Sequence, residues 1–184
     1  VPDGLYKDGL QRARFLPAIA LLKEHTDIVN VDSGVDYRLR ALEQAELFHF
    51  PLGPEADESL RKSFQSLLPD CTHMVENEAL MIENRAINAV RVCEDVAWFE
   101  YRELCDGPRS QNDYIELGKI FHAVILANVE QMSVAKDDMA RRFINLVDEF
   151  YDRNVKLIIS AEVELKDLYS GGRLNFEFQR TLSR

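Results

Sequence analysis

Two arginines near the start of the chain have the residue type and position best suited to chemistry. Arg12 and Arg14 lie at the beginning of a segment, 10–25, whose apolar residues recur with helical spacing. A guanidinium in such a place can reach across a subunit interface to a terminal phosphate and stabilise the charge that develops during phosphoryl transfer. The alternative is a solvated helix end, because arginines with purely structural roles are common. The residues alone leave both readings open.

The chain carries no phosphate-binding loop of its own. Such a loop needs glycines that open backbone N–H groups toward the phosphates and a lysine that reaches them. None of the eight glycines begins a GxxxxGK[ST] pattern. Asp148 and Glu149 imitate an acidic pair that holds Mg²⁺, but the helical period continues on both sides of them. We therefore predict that this pair lies in the middle of a helix.

Histidines and cysteines give no recognisable catalytic or metal site. No two of the four histidines have a ligand-like helical spacing, and no nucleophile–base pair can be identified. The cysteines are odd in number and widely spaced, which predicts three buried or partly buried free thiols and a reducing cytosol. The residues in question are His25, His49, His73, His122, Cys71, Cys93 and Cys105. The acids that flank Cys105 should raise the pKa of its thiol and so disfavour a reactive thiolate.

The bulk properties indicate a soluble acidic protein. With 184 residues and 46% hydrophobic content, the chain can form one sizeable core, or a core with a small subdomain. The net charge of −10 argues against general binding to a nucleic-acid backbone. No apolar run approaches a membrane span, and no signal segment opens the chain.

The first third of the chain predicts mixed helix and strand. Pro17 should lie in the first turn of the first helix, so that this helix begins near it. Alternation over 27–32 predicts a strand, 38–47 is ambiguous, and 47–52 is a candidate short strand. Pro54 should begin a second helix that ends near Leu68.

The rest of the chain predicts an α/β fold. Three β-like runs separated by turn residues indicate a small antiparallel meander at about 78–101. Ser110 and Asp113 form a variant capping box that begins a helix. An apolar strand, an amphipathic helix over 137–154 and a second apolar strand then form a βαβ unit at about 122–161, whose strands should be parallel and buried. The expected fold is thus a parallel βαβ unit with flanking helices and a small antiparallel meander.

Several segments in order resemble the ZapE and AFG-type family of AAA-like P-loop ATPases, and the resemblance covers essentially the whole chain. The matching stretches are LYKDGLQR at 5–12, FLP at 15–17, DSG at 32–34, DYRL at 36–39, WF at 98–99, LC at 104–105, DY at 113–114, RRFI at 141–144, LVD at 146–148, EF at 177–178, RT at 180–181 and SR at 183–184. The weakest stretch is 53–96.

The resemblance implies roles for individual residues. Arg12 matches the position of the arginine finger, and Arg14 is a weaker candidate. Arg38 and Arg142 match family motif positions, where nucleotide sensing and core ion pairing are both open. Arg109 stands where many relatives carry another residue. The Walker A and Walker B segments, which would hold ATP and Mg²⁺ in the full-length protein, should lie upstream of Val1.

The resemblance also implies a division of the chain and a function. Residues 1–52 would end the ATPase core, and 53–184 would form a C-terminal α/β domain. Members of the family are ATP-dependent factors linked to tubulin-like division-ring polymers in bacteria, with relatives in mitochondrial protein quality control. We therefore expect a cytoplasmic protein at the division site, with homo-oligomers as an option. In the alternative, the chain is an interaction module without a catalytic contribution.

Overall fold

A computed structural model describes residues 12–27, 47–68 and 71–181 of the chain. The chain forms two compact units, Val1–Asp36 and Tyr37–Arg184. In the first unit the described residues form one helix, α1 (Arg12–His25). The remaining described elements belong to the second unit, which contains the sheet.

Helix α1 begins at Arg12, so the predicted start near Pro17 is wrong. Pro17 lies inside the helix. Proline lacks the N–H that would donate to the carbonyl of Ala13, and the helix runs through it with one hydrogen bond fewer. The apolar and alanine residues around it still favour helix. The predicted strand at 27–32 and the ambiguous stretch at 38–47 lie almost entirely outside the described residues.

The second unit is built on a six-stranded sheet in the order β1-β7-β5-β4-β3-β2. A separate pair of short parallel strands, β6 and β8, lies beside it. The strands are β1 (Phe48–His49), β2 (Val75–Ile82), β3 (Arg85–Cys93), β4 (Val96–Glu100), β5 (Ala123–Val129), β6 (Met132–Ser133), β7 (Lys156–Ala161) and β8 (Tyr169–Ser170). The further helices are α2 (Pro54–Leu67), α3 (Tyr101–Cys105), α4 (Gln111–Ile120), α5 (Asp137–Asp152) and α6 (Asn175–Thr181).

Strands β2, β3 and β4 form the predicted antiparallel meander. β2 pairs with β3 and β3 with β4, both antiparallel. The two residues between β2 and β3, Glu83 and Asn84, have φ of 49° and 61°. Positive φ at both central residues gives the turn a twist that matches the flanking strands.

The other strands run parallel, which confirms the predicted βαβ unit. β5 pairs in parallel with β7, and α5 connects them. A second crossover, not predicted from the sequence, links β4 to its parallel neighbour β5 through α3 and α4. β1, the predicted short strand, pairs in parallel with β7 at one end of the sheet.

Helices cover both faces of the sheet. On one face, α2 inserts Leu60, Phe64 and Leu67 against a cluster that includes Trp98 and Ile125. On the other face, residues of α3 to α6 pack on the alternate residues of the same strands in a larger core. Alternate residues of β4 and β5 point to opposite faces, which explains why these strands read as continuous apolar runs.

A disulfide joins Cys71 to Cys93, so the prediction of three free thiols is wrong. The connection that follows α2 returns to the end of β3 and brings the two Cα atoms to 6.4 Å. That distance is within the range that a disulfide spans. Cys105 is the remaining free thiol, and burial raises its pKa, with the charge of Arg142 opposing the shift.

Candidate functional site

The two arginines singled out from the sequence occupy the first turn of α1. The side chain of Arg12 is partly exposed and that of Arg14 is exposed. Residues two apart on a helix point about 200° away from each other around its axis. The two side chains therefore leave the helix on nearly opposite sides.

The charge at the start of α1 opposes helix stability. The first turn contains no acidic residue, whereas Lys23 and His25 lie in the last turn, where positive charge is favourable. A cation at the positive end of a helix costs about 0.3–1 kcal/mol. Arg12 has an interaction partner within the chain, and an anion near the exposed Arg14 would offset the cost there.

Helix α1 also exposes apolar side chains. Leu16, Leu21 and Leu22 are between 41% and 55% exposed, whereas Ile19 is buried. At about 100° per residue, positions 16, 21 and 22 point in three different directions around the helix axis. They are therefore separate exposed apolar residues, which are normal on a protein surface.

Arg142 lies on α5 in the other unit. Its Nη1 donates to the carbonyl oxygen of Cys105 at 3.3 Å. Cys105 is the last residue of α3, so the guanidinium caps one of the carbonyls left without a helical partner. Arg38, the other motif arginine, lies outside the described residues.

Asp148 and Glu149 lie within α5, as their periodicity predicted. Asp148 Oδ2 accepts a hydrogen bond from Arg180 Nη2 at 2.9 Å. Glu149 is buried and accepts hydrogen bonds from Gln111 Nε2 and Arg153 Nη1. Over residues 12–27, 47–68 and 71–181, no cluster of three or more His, Cys, Asp or Glu side chains is arranged to hold a metal ion.

Arg109, for which we predicted no role, connects two elements of the fold. Its side chain is only 9% exposed. Its Nε donates to the Glu103 carbonyl at 2.9 Å, and its Nη2 donates to Glu103 Oε1 at 2.8 Å and to the Ala86 carbonyl at 3.0 Å. One side chain thus ties α3 to the start of β3. The contact depends on the fold and left no signal in the sequence.

A second missed connection joins the meander to α4. Asp113 is fully buried, and both of its oxygens accept from Arg85 Nη2, at 2.7 and 2.6 Å. Asp113 Oδ2 also accepts from the Ser110 N–H at 2.6 Å, and the predicted capping box is confirmed. The sequence predicted only the capping box of Ser110 and Asp113, because these two residues are close together in the chain.

Polar side chains meet where three parallel strands end. Asn128 Nδ2 donates to Glu100 Oε2 at 2.8 Å, and the Asn128 N–H donates to the buried Ser160 Oγ at 3.0 Å. Asn128 has φ of 61°, and the β5–β7 register shifts beside it. The carboxyl edge of a parallel sheet is where α/β proteins commonly place ligands. Here the three groups bond one another and fix the strand ends.

An apolar cavity of about 680 Å³ opens between α5 and the β1–β7 edge. Its apolar lining includes Phe48, Val147, Leu157 and Leu165, and its polar lining is formed by Asp152, Asn154, Lys156 and Thr181. Its size falls in the range of ligand pockets, and it can receive apolar groups. Nowhere in the described part of the chain is there a helix long and apolar enough to span a membrane.

Known proteins resemble this chain along its whole length. It is 48% identical over 183 residues to "Cell division protein ZapE" of Escherichia coli strain K12, which covers 100% of this chain and 48% of that protein. It is 34% identical over 180 residues to "Lactation elevated protein 1 homolog B" of Danio rerio, covering 97% of this chain and 36% of that protein. The chain thus spans about half the length of the ZapE sequence, and about a third of the fish protein. No solved structure matches it significantly.

The family comparison agrees with these relatives. The family model described as AFG1-like ATPase matches residues 1–184. The motifs at 5–12 and 141–144 therefore stand in a chain that is related over its full extent. The chain belongs to the AFG1-like ATPase family.

Proposed function

We propose that this chain is the C-terminal part of an ATP-hydrolysing cell-division protein, and that it supplies Arg12 in trans to the nucleotide of a neighbouring subunit. The observation that carries the proposal is the position of Arg12 in the first turn of α1, within a chain whose family is established. Residues 1–52 would end the ATPase core, and 53–184 would form the C-terminal α/β domain.

ATP and Mg²⁺ would be held outside this chain. None of the glycines begins a P-loop pattern, and the described carboxylates form no metal site, so these residues do not fit a complete nucleotide pocket. What the chain offers instead is a guanidinium whose charge can stabilise the transferred phosphoryl group. Arg14 is the weaker bearer of this role, while Arg38 and Arg142 are candidates for nucleotide sensing or for core pairing.

The remaining surface suits partner binding. The leucines of α1 and the apolar cavity beside β7 offer non-polar contact area, and the net charge of −10 disfavours nucleic acid as a partner. We propose a division-ring polymer of the tubulin-like class as the partner, and the cytoplasm at the division site as the location. Homo-oligomers would place Arg12 of one subunit near the nucleotide of the next.

Steady-state ATPase assays on the full-length protein test the arginine. Arg12→Ala should lower kcat by about 10³-fold or more with nucleotide affinity almost unchanged, because the guanidinium acts on the transition state. Arg14→Ala should have a much smaller effect. Arg61→Ala is the matched control, since Arg61 is an exposed arginine on α2, away from this role.

Two results would overturn the proposal. If Arg12→Ala retained turnover but lost binding to the polymer, the chain would be an interaction module without a catalytic contribution. If calorimetry detected saturable micromolar ATP binding to the isolated chain, the nucleotide site would not lie outside it.

Mixing Arg12→Ala subunits with subunits that carry a disabled P-loop should restore part of the turnover only if the arginine acts in trans.

A further inference from the structure

The disulfide between Cys71 and Cys93 closes the open end of a hairpin. Cys93 is the last residue of β3, and Cys71 lies four residues before β2 begins at Val75. Val75 pairs with Val92 in the first step of the β2–β3 ladder. The turn at Glu83 and Asn84 closes the other end. The bond therefore holds the beginning of β2 against the end of β3.

Few other contacts hold the beginning of β2. It is the last strand of the described sheet and pairs with β3 alone. Its first three residues are exposed, and an ion pair of 3.0 Å between Glu76 and Arg91 is the main side-chain tie there. Asn77 has φ of 55° and is not one of the paired residues of the β2–β3 ladder. A side chain in the left-handed region weakens the ladder at this point.

The two cysteine residues differ in exposure. Cys71 is partly exposed, lies in a connection without regular structure and packs at the border of the α2-side core, whereas Cys93 is only 1% exposed. An exchange partner therefore reaches Cys71 more readily than Cys93, and Cys93 is the resolving thiol. Local opening of a connection requires far less free energy than opening the core. Cys105 is fully buried, and burial raises its pKa, so it lies outside this chemistry.

We propose that Cys71 and Cys93 form a reversible thiol–disulfide switch that orders the first half of β2. In the oxidising direction, the Cys71 thiolate attacks glutathione disulfide, and one glutathione thiolate leaves. The Cys93 thiolate then attacks the Cys71 sulfur and releases the second glutathione. The two protein thiols thereby lose two electrons and two protons, and one glutathione disulfide becomes two glutathiones.

Reduction removes the covalent tie and leaves the beginning of β2 with its weakest contacts. We expect residues 71–78 to detach while the Glu83–Asn84 turn and the end of β2 at Ile82, which is buried, keep the rest paired. Arg91 would then lose Glu76 but keep its place over the ring of Trp98, 5.6 Å from the centroid. The switch acts on one end of the sheet: Cys71 leaves the border of the α2-side core, while Cys93 stays buried in it.

The test uses full-length native protein equilibrated in glutathione buffers of increasing reducing strength. Free thiols are trapped by alkylation, and peptides are mapped by mass spectrometry under non-reducing conditions. Linked Cys71 and Cys93 peptides should give way reversibly to two alkylated peptides, while Cys105 stays an unlinked thiol throughout. In parallel, amide exchange of 71–78 should become roughly tenfold or more faster on reduction, with β5 and β7 unchanged.

A variant separates the bond from other effects of the reductant. Cys71→Ser cannot form the bond and should show the fast exchange of 71–78 in both buffers. The proposal is overturned if no linked peptide forms, or if the bond persists in the native protein under strongly reducing buffer. It is also overturned if the bond exchanges reversibly but the exchange rate of 71–78 does not change.

Discussion

Replacing Asp113 by asparagine should lower the free energy of unfolding of the second unit by about 3 kcal/mol. The fully buried carboxylate makes two stabilising interactions. It accepts hydrogen bonds from the guanidinium of Arg85 and from the N–H of Ser110. Asparagine keeps the shape of the side chain but removes the charge and one acceptor.

The predicted loss of unfolding free energy is the sum of these two interactions. Loss of a capping interaction costs about 1 kcal/mol. Loss of one partner of a buried pair costs about 3–5 kcal/mol, but the Arg85 side chain is 36% exposed, and water can partly solvate it. Because of this solvation, we reduce the cost of losing the ion pair to about 2 kcal/mol. Together with about 1 kcal/mol for the cap, this gives the total of about 3 kcal/mol.

Urea unfolding followed by circular dichroism provides the measurement, with a double-mutant cycle to isolate the pair. Arg85→Met, Asp113→Asn and the double variant should give a coupling energy of about 1–2 kcal/mol. Ser110→Ala removes only part of the cap and should cost about 1 kcal/mol. A coupling energy below about 0.5 kcal/mol would show that water solvates both groups and that the pair does not hold α4 to the meander.

Three further predictions concern other parts of the second unit. Gly172→Ala should destabilise it by about 2 kcal/mol, because a Cβ there would lie 2.9 Å from Cζ of Tyr169. Phe64→Ala should cost about 3–5 kcal/mol in urea unfolding, because the ring is almost fully buried under α2. Hydrogen bonds to Glu130, first of all from Arg102, lower its pKa, so its contribution to stability is present above its ordinary pKa and is lost as the pH falls through its lowered pKa. In Glu130→Gln, unfolding measured between pH 6 and pH 3 should show a smaller loss of stability than in the wild type.

Each of these has a matched control. In Gly118→Ala the new methyl would lie 2.8 Å from Cδ of Arg153, a partly exposed side chain that can shift, and alanine favours helix, so this variant should destabilise the unit less than Gly172→Ala does. Arg61→Ala, beside Phe64 on the exposed side of α2, should change stability by less than about 0.5 kcal/mol. Glu116→Gln removes a partly exposed carboxylate on α4 that pairs with Lys119 alone among the described residues and should change the acid dependence less than Glu130→Gln does. Equal effects in a variant and its control would contradict the proposed cause.

Local patterns predicted much of the fold. Pro54 begins α2, Ser110 and Asp113 begin α4, and the turn residues at 83–84 separate β2 from β3, each through contacts between residues close in sequence. The parallel unit was predictable because its strands are apolar on both faces. Pro17 led to a wrong start for α1. Proline prefers the first turn of a helix, but here the helix-forming residues around it outweighed this preference.

What remained hidden depends on distant contacts. The Cys71–Cys93 bond, the Arg109 connector and the Arg85–Asp113 pair join residues 22 or more apart, or lie where three elements meet. Spacing along a sequence carries no information about such meetings. For the candidate site, Arg12 and Arg14 were found from residue type and family motif, and their catalytic role stays a prediction.

The pairing of β1 has a consequence for how the chain is made. Phe48 pairs with Ile159, and more than a hundred residues are synthesised between them. Until β5 and β7 leave the ribosome, the apolar side of α2 has only the residues of β3 and β4 to cover, such as Trp98, although α2 itself is finished early. The second unit should therefore complete its core late in synthesis, and a nascent chain that stalls before Lys156 would display the α2 leucines and Phe64 to chaperones.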